Sequence, residues 1–330
     1  AAELVAPTGM VWAHDYHLLL VGRELRRRGF RGCLGLFLHI PFPQRDLFAT
    51  LPWAEELIDA MLHFDVLGFH TEQWARNFGE CVRTRNVRRA LPEIAVLPIG
   101  VDPEGFAAGS AAVDREVEGL RTAIGSRRLI LGVDRLDYAK GIPERLSAFE
   151  RLLETRPEWR SRVSLVQISV PSRADVPEYA ELKHRVETLV GRVNGRFGEA
   201  DWVPVRYLYR SYDHAVLAQL YRSADVALVT PLRDGLNLVA KEFIVAQDPD
   251  HPGVLVLSQF AGAAAELTDA VLTNPFHADG LAADLDRALR MDRAERVRRH
   301  ARLAASLAQQ TPERWAAAFL ERLARTEHAV

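Results

Sequence analysis

The chain has 330 residues, 48% of them hydrophobic and 26% charged, the make-up of a globular protein with room for two cores. Its formal net charge of -2 supplies no bulk attraction for nucleic acid or an anionic membrane, so any recognition of phosphate has to be local. Two cysteines, Cys33 and Cys81, exclude a disulfide framework and a zinc site of the usual ligand spacing, and both are expected as reduced core thiols in a cytoplasmic protein.

From the amino end, residues 1–9 lack the charged and apolar regions of a signal peptide, and no apolar run approaches the ~18 residues of a membrane span. With no initiator Met and a strand starting almost at once, the chain is expected to begin part-way through a longer protein. Apolar runs predict strands at 10–13, 34–39 and 94–98, with helical periodicity at 18–28, stopped by Gly29, and at 53–62 and 72–81. The polar stretch from 100 to 126 is the expected domain junction. A second series follows, with strands at 129–133, 163–168, 205–208, 226–229 and 253–257 and helices at 143–155, 177–196, 214–223 and 238–247. A final helix is predicted at 311–324. Strand and helix in turn mean parallel sheets with crossover helices, an α/β architecture. The expected domains are 1–125, 126–305 and a last helix within 306–330 returning to the first domain.

The basic residues are almost all Arg; the only lysines are Lys140, Lys183 and Lys241. A retained Lys is then expected to mark a place that needs a compact ammonium rather than a planar fork.

In open parallel sheets ligands gather at the carboxyl ends of strands, and polar residues are dense there. His14, Asp15 and His17 follow the first strand, His39 ends the second, and Asp134, Arg135 and Lys140 follow the first strand of the second series. Arg173 follows the next strand. Asp234 and Asn237 precede a helix carrying Lys241 and Glu242. Singly, each has a plainer reading: a His-Asp pair as a helix cap, Arg135 and Lys140 as solvated surface charges, Glu242 as a first-turn acid. Their joint placement at strand ends favours a ligand site.

The chemistry open to these residues is specific. Arg135 and Lys140 can put two positive charges on a diphosphate and neutralise it as a leaving group. The backbone N–H groups of Asn237, Leu238 and Val239 lie at a helix N-terminus, which favours phosphate. Glu242, one turn on, can accept hydrogen bonds from ribose hydroxyls. Asp234 and His39 can hold sugar hydroxyls, Asp15 can orient a reacting hydroxyl, and Arg173 offers a forked cation for a second phosphate.

The run Val11-Trp12-Ala13-His14-Asp15-Tyr16-His17-Leu18-Leu19, the segment 38–43, the run 135–145, and above all 230–248 followed by 253–264, resemble the trehalose-6-phosphate synthase family. The similarity runs from about residue 10 to the last helix. It implies a retaining glycosyltransferase of the GT-B type, with two Rossmann-like parallel-sheet domains facing a cleft, the first of them incomplete. It also implies transfer of glucose from UDP-glucose to glucose 6-phosphate, with no metal or other cofactor required. By motif, Arg135 and Lys140 would hold the donor diphosphate, Leu238, Val239, Ala240, Lys241 and Glu242 the nucleotide, and Tyr212 the base through its backbone. Asp15, His17 and Arg173 would serve the acceptor, Arg173 at its phosphate, while His39 and Asp234 would grip the transferred glucose. The donor phosphate oxygen would take the acceptor proton, so no protein nucleophile is needed.

Two departures stand out. The family's segment ahead of the His14-Asp15 motif, with its Gly-rich loop, is not in this sequence, and the stretch between Cys81 and Pro98 is shorter than expected. The donor's nucleotide base is not fixed by these motifs, and a homo-oligomer stays open. A sister transferase, such as a glucosylglycerol-phosphate synthase or pseudo-glycosyltransferase, would carry similar donor motifs. A non-catalytic sugar-nucleotide-binding fragment is the alternative from another class. Asp284 and Asp286 have the letters of a metal motif, but residues two apart on a helix diverge, and a solvated face is expected there.

Overall fold

The structure, a computed structural model, describes residues 8–83, 90–107, 114–173 and 175–326. The shortened connection after Cys81 and the expected junction after residue 100 each include residues outside that description, 84–89 and 108–113, as does most of the expected amino-terminal segment.

The chain divides into two compact units, residues 1–100 with 310–330, and residues 101–309. In the first, β1 (Met10–His14), β2 (Cys33–Leu38), β3 (Val66–Phe69) and β4 (Glu93–Val96) form a parallel sheet in sequence order. Every residue of β2 is buried, so this strand reads as a continuous apolar run, not an alternating one. Its helices are α1 (Val21–Arg27), α2 (Arg45–Phe48), α3 (Ala54–Met61) and α4 (Glu72–Arg83). The two cysteines are buried and unbridged. β3 escaped the sequence reading because four residues interrupted by Gly68, between Asp65 and His70, are too short to show a period. Leu18, expected to open the first helix, instead closes a 3-10 turn over residues 16–18 ahead of α1.

The second unit is built on β5 (Arg128–Arg135), β6 (Val163–Val170), β7 (Val205–Leu208), β8 (Val226–Val229), β9 (Val254–Ser258) and β10 (Val271–Thr273), all parallel, in the order β10-β9-β8-β5-β6-β7. The chain moves outward from β5 through β6 to β7, then returns to place β8 on the other side of β5. That reversal opens a crevice at the carboxyl ends of β5 and β8, the place where doubly wound sheets take ligands. The crossovers are α7 (Ile142–Thr155), α8 (Pro177–Phe197), α9 (His214–Ser223), α10 (Leu238–Ala246) and, ahead of α12 (Arg293–Leu307), α11 (Ala278–Arg290). On α11, Asp284 pairs with Arg287 at 3.3 Å, while Asp286 accepts from Trp159 at 2.7 Å and pairs with Arg290 at 2.7 Å.

The unit boundary falls at 100/101, at the start of the polar stretch expected as the junction and ahead of the 125/126 division drawn at its end. Residues 103–107 form α5 (Pro103–Ala107), which packs against α9 and α10, and α6 (Arg115–Ile124) packs against α9. These packing contacts, which composition does not display, place the segment with the second unit. The last helix, α13 (Pro312–Arg325), lies against β2 and β3 of the first unit, where Phe319 and Leu323 are fully buried and Trp315 Nε1 donates to the Leu97 carbonyl at 3.2 Å.

Candidate active site

In the second unit the site begins where β5 ends. Asp134 is buried and Arg135, the next residue, is exposed. Asp137 then caps a 3-10 turn, Tyr138–Lys140, by accepting from the Ala139 amide at 2.9 Å. Gly141 starts α7 at φ 63°, and a Cβ there would sit 2.2 Å from the Thr230 carbonyl, so only glycine lets the loops after β5 and β8 approach so closely. Across that contact Lys140 Nζ donates to Asp234 Oδ2 at 2.6 Å. Burial works against the Lys140 charge, but Asp234, with Asp134 behind it, outweighs burial and holds the ammonium above the usual lysine range.

Asp234 is also held by Asn237, whose Nδ2 donates to Oδ2 at 3.1 Å. Asn237 has φ 84° and caps α10, its Oδ1 accepting from the Ala240 amide at 3.1 Å. The cap therefore engages the third amide of the helix, and those of Leu238 and Val239 precede the first bonds of the helical ladder. Lys140, Asp234, Asn237 and the first turn of α10 thus form one constellation at the switch point of the sheet. Arg135 stands close enough for its charge to act on Lys140.

Other expected residues are placed differently. The Lys241 side chain is fully buried and pairs with Glu266 Oε1 at 3.2 Å, so only its backbone faces the role read for it. Lys183 pairs with Glu187 on the surface of α8. Of the three lysines, only Lys140 turns its ammonium to the cluster at the strand ends, where it pairs with Asp234. Glu242 Oε2 accepts from the Tyr221 hydroxyl at 3.0 Å; burial pushes the Glu242 carboxyl up, and that bond pulls it partly back. The Tyr212 hydroxyl, pushed up to about 12 by burial and by Glu116, donates to Glu116 Oε1 at 2.8 Å. Arg173, at φ 47°, donates to the Tyr179 hydroxyl at 3.1 Å, and that hydroxyl donates to Asp137 Oδ2 at 3.4 Å, tying Arg173 to the loop after β5.

In the first unit Asp15 and His39 meet. Asp15, at φ 69°, donates its amide to the Phe37 carbonyl at 2.8 Å and accepts the His39 amide on Oδ1 at 3.2 Å. The His39 ring lies between His14 and His70, 3.2 Å from each. His17 is exposed on the 3-10 turn, its ring tilted against that of Tyr16 with centroids 3.8 Å apart. The sequence reading left four contributors without a role: His14, His70, Tyr179 and Tyr221. His14 sits inside a quoted motif, whereas His70 follows a strand too short to predict, so the strand-end rule never reached it. Among the described residues no group of three or more His, Cys, Asp or Glu is arranged to hold a metal, and no helix is long and apolar enough to cross a membrane.

Known proteins share this fold. A model of glycosyltransferase family 20 matches residues 1–325. The chain is 44% identical over 332 residues to the trehalose-6-phosphate synthase of Cronobacter sakazakii, spanning 97% of this chain and 70% of that protein. It superposes with a TM-score of 0.94 and 42% identity on the α,α-trehalose-phosphate synthase (UDP-forming) of Burkholderia xenovorans in complex with glucose-6-phosphate, covering 97% of this chain and 74% of that one. A structure from E. coli bound with UDP-2-fluoro glucose gives a TM-score of 0.93 at 41% identity, over 97% of this chain and 74% of that one.

Proposed function

The chain belongs to glycosyltransferase family 20, and from that premise we propose that it moves glucose from UDP-glucose to glucose 6-phosphate with retention, forming α,α-trehalose 6-phosphate. The observation that carries this reading is the Lys140–Asp234 pair at the N-terminus of α10. An ammonium has three donors, and Asp234 takes one. The other two can serve a diphosphate while Asp234 keeps a free lone pair for a sugar hydroxyl, so one pair spans the bond to be broken. Arg135 and the amides of Leu238 and Val239 add positive charge and unpaired donors for the same diphosphate. Glu242, oriented by Tyr221, is available to ribose hydroxyls. The relatives whose structures hold glucose-6-phosphate and UDP-2-fluoro glucose support the choice of both substrates.

As the anomeric C–O bond lengthens, negative charge grows on the diphosphate, and cations already in place stabilise that charge without reorganising. The acceptor hydroxyl then attacks from the face the diphosphate leaves, and the departing phosphate oxygen takes its proton. Attack on that face gives retention, with no protein nucleophile. Asp15 orients the acceptor hydroxyl, His17 assists on the same side, and Arg173 holds the acceptor phosphate as a fork braced by Tyr179. In this scheme the cationic side chains and the helix end do the work of a metal at the diphosphate, so the reaction is metal-independent. Buried, unbridged Cys33 and Cys81 support a reducing, cytoplasmic setting.

Incubation with UDP-glucose and glucose 6-phosphate, with the product resolved by NMR, tests the reading. UDP release with an α,α-linked disaccharide phosphate is expected. Hydrolysis of the donor alone, or transfer only to another acceptor such as glycerol phosphate, would refute it.

A further inference from the structure

Arg173 is the cation that follows β6, and its guanidinium is held by a buried hydroxyl. β5 and β6 run side by side to their ends, with Arg135 opposite Val170, so the loops that follow them leave the sheet together. The Arg173 carbonyl accepts the Val176 amide at 3.0 Å, and Pro177 opens α8 directly after that turn. Tyr179, on the first turn of α8, is thereby brought back to Arg173. Arg173 Nη1 donates to the Tyr179 hydroxyl at 3.1 Å, with its Cζ 5.7 Å from the ring centroid. The same hydroxyl donates to Asp137 Oδ2 at 3.4 Å.

The direction of these bonds is fixed by chemistry. A guanidinium only donates and a carboxylate only accepts, so the hydroxyl between them must accept from Arg173 and donate to Asp137. Tyr179 is only 4% exposed, and its ring meets that of Tyr138 edge-on at 5.9 Å. Packing alone would be met by a phenylalanine ring; the hydroxyl can be buried here because both of its bonds are made. Asp137 carries the chain onward. Its Oδ1 accepts the Ala139 amide at 2.9 Å, and its carbonyl accepts the Lys140 amide at 3.0 Å. Arg173 also has φ 47°, a left-handed backbone that an arginine keeps only where its surroundings hold it.

We propose that Tyr179 is a positioning residue: with Asp137 it fastens the Arg173 guanidinium to the turn carrying Lys140, so that the cations for two anionic groups stand at a set spacing before either ligand arrives. Without that bond Arg173 is a long exposed side chain whose rotamers must be ordered when an anion binds. With it, the ordering takes place on folding, and the forked cation is presented in one position. Such spacing favours a second ligand whose anionic group lies at a fixed distance from the atom that meets the diphosphate. That this ligand is a sugar phosphate rests on the function proposed above; the brace itself does not.

Arginine-selective 13C and 15N NMR on the ligand-free protein tests the brace. A held guanidinium turns slowly about its Cζ–Nε bond, so separate Nη1 and Nη2 signals are expected for Arg173 in the wild type. Tyr179→Phe keeps the ring, its contact with Tyr138 and the aromatic face beside Arg173, and removes only the hydroxyl; it should merge those signals. If Tyr179→Phe does not fold, Asp137→Asn must merge them instead, since its amide oxygen can still accept from Ala139 while its amide nitrogen cannot accept from Tyr179. In the transfer assay Tyr179→Phe should raise the glucose 6-phosphate KM about 3- to 10-fold, the cost of ordering one long side chain, with UDP affinity by calorimetry unchanged. A general loss of structure would weaken both ligands. Asp137→Asn should raise the same KM, and the double variant should be no worse than the more impaired single, because both substitutions break one chain. Averaged Arg173 signals in the wild type, separate signals surviving in Tyr179→Phe, or UDP affinity falling in step with the rise in acceptor KM would overturn the brace. Absence of any transfer to glucose 6-phosphate would count against the functional reading alone, since the NMR measurement needs no ligand.

Discussion

Replacing Arg145 by Met would measure how firmly the donor loops are held. Arg145 is fully buried and reaches Asp134 Oδ2 at 2.7 Å, Gln167 Oε1 at 2.8 Å and Thr230 Oγ1 at 3.0 Å. Those partners end β5, line β6 and follow β8, so one guanidinium joins the two strands whose loops carry Arg135, Lys140 and Asp234. Burial pushes the Asp134 carboxyl up, and Arg145 and then Lys140 pull it back. Removing the cation leaves a buried carboxylate unpaired, which costs about 3–5 kcal/mol. Loss of the bonds to Gln167 and Thr230 adds about 1 kcal/mol each. With a urea m-value of about 2 kcal/mol/M, the midpoint should fall by about 2.5–3.5 M in urea unfolding followed by circular dichroism. The double variant Asp134→Leu with Arg145→Met removes both charges and should recover most of that loss, since apolar replacement of a buried pair is often close to neutral. Gly132→Ala perturbs the same network from another direction, because its Cβ would lie 2.3 Å from Arg145 Nη1 and 2.5 Å from Gln167 Oε1. A midpoint shift under about 0.5 M for Arg145→Met, or a double variant less stable than the single, would refute the reasoning.

Further outcomes follow from the same geometry. Arg135→Ala or Lys140→Ala removes charge stabilisation that grows in the transition state, so turnover should fall on the order of 100-fold or more. Arg173→Ala should mainly raise the acceptor KM; an unchanged acceptor KM, with a rise in Lys140→Ala instead, would reverse the two phosphate assignments. Turnover should survive a strong chelator, and activity lost on chelation and restored by magnesium or manganese would sink the metal-independent scheme. Because burial holds His14 and His39 below 6.5, their unfolded rings take up protons that the folded rings refuse. Stability should therefore be level above pH 6.5 and decline as the pH drops below it. Urea midpoints between pH 7.5 and 5.5 check this, and His39→Gln should flatten the slope; a wild-type midpoint that rises on acidification contradicts it.

The sequence by itself determined the class of fold and the strand ends at which the candidate residues stand. Apolar runs alternating with amphipathic helices require parallel sheets, and parallel sheets present ligand residues at strand ends. Asp15, His39, Arg135, Lys140 and Asp234 could therefore be located before any coordinates. Apolar periodicity also placed a helix N-terminus at residues 237–239, where the first backbone N–H groups lack partners in the helical ladder. What only the tertiary structure decided is who faces whom. Lys140 and Asp234 are 94 residues apart in sequence, and strand order alone brings them to 2.6 Å. Lys241 looked as available as Lys140 and is instead buried against Glu266, because the side a helical residue faces depends on what packs over it. The junction at 100/101 depends on α5 meeting α9 and α10, a contact that polar composition does not reveal. His70 became visible only once the short β3 was in place beside β2, since backbone pairing with a neighbour, rather than its own four residues, makes that segment a strand.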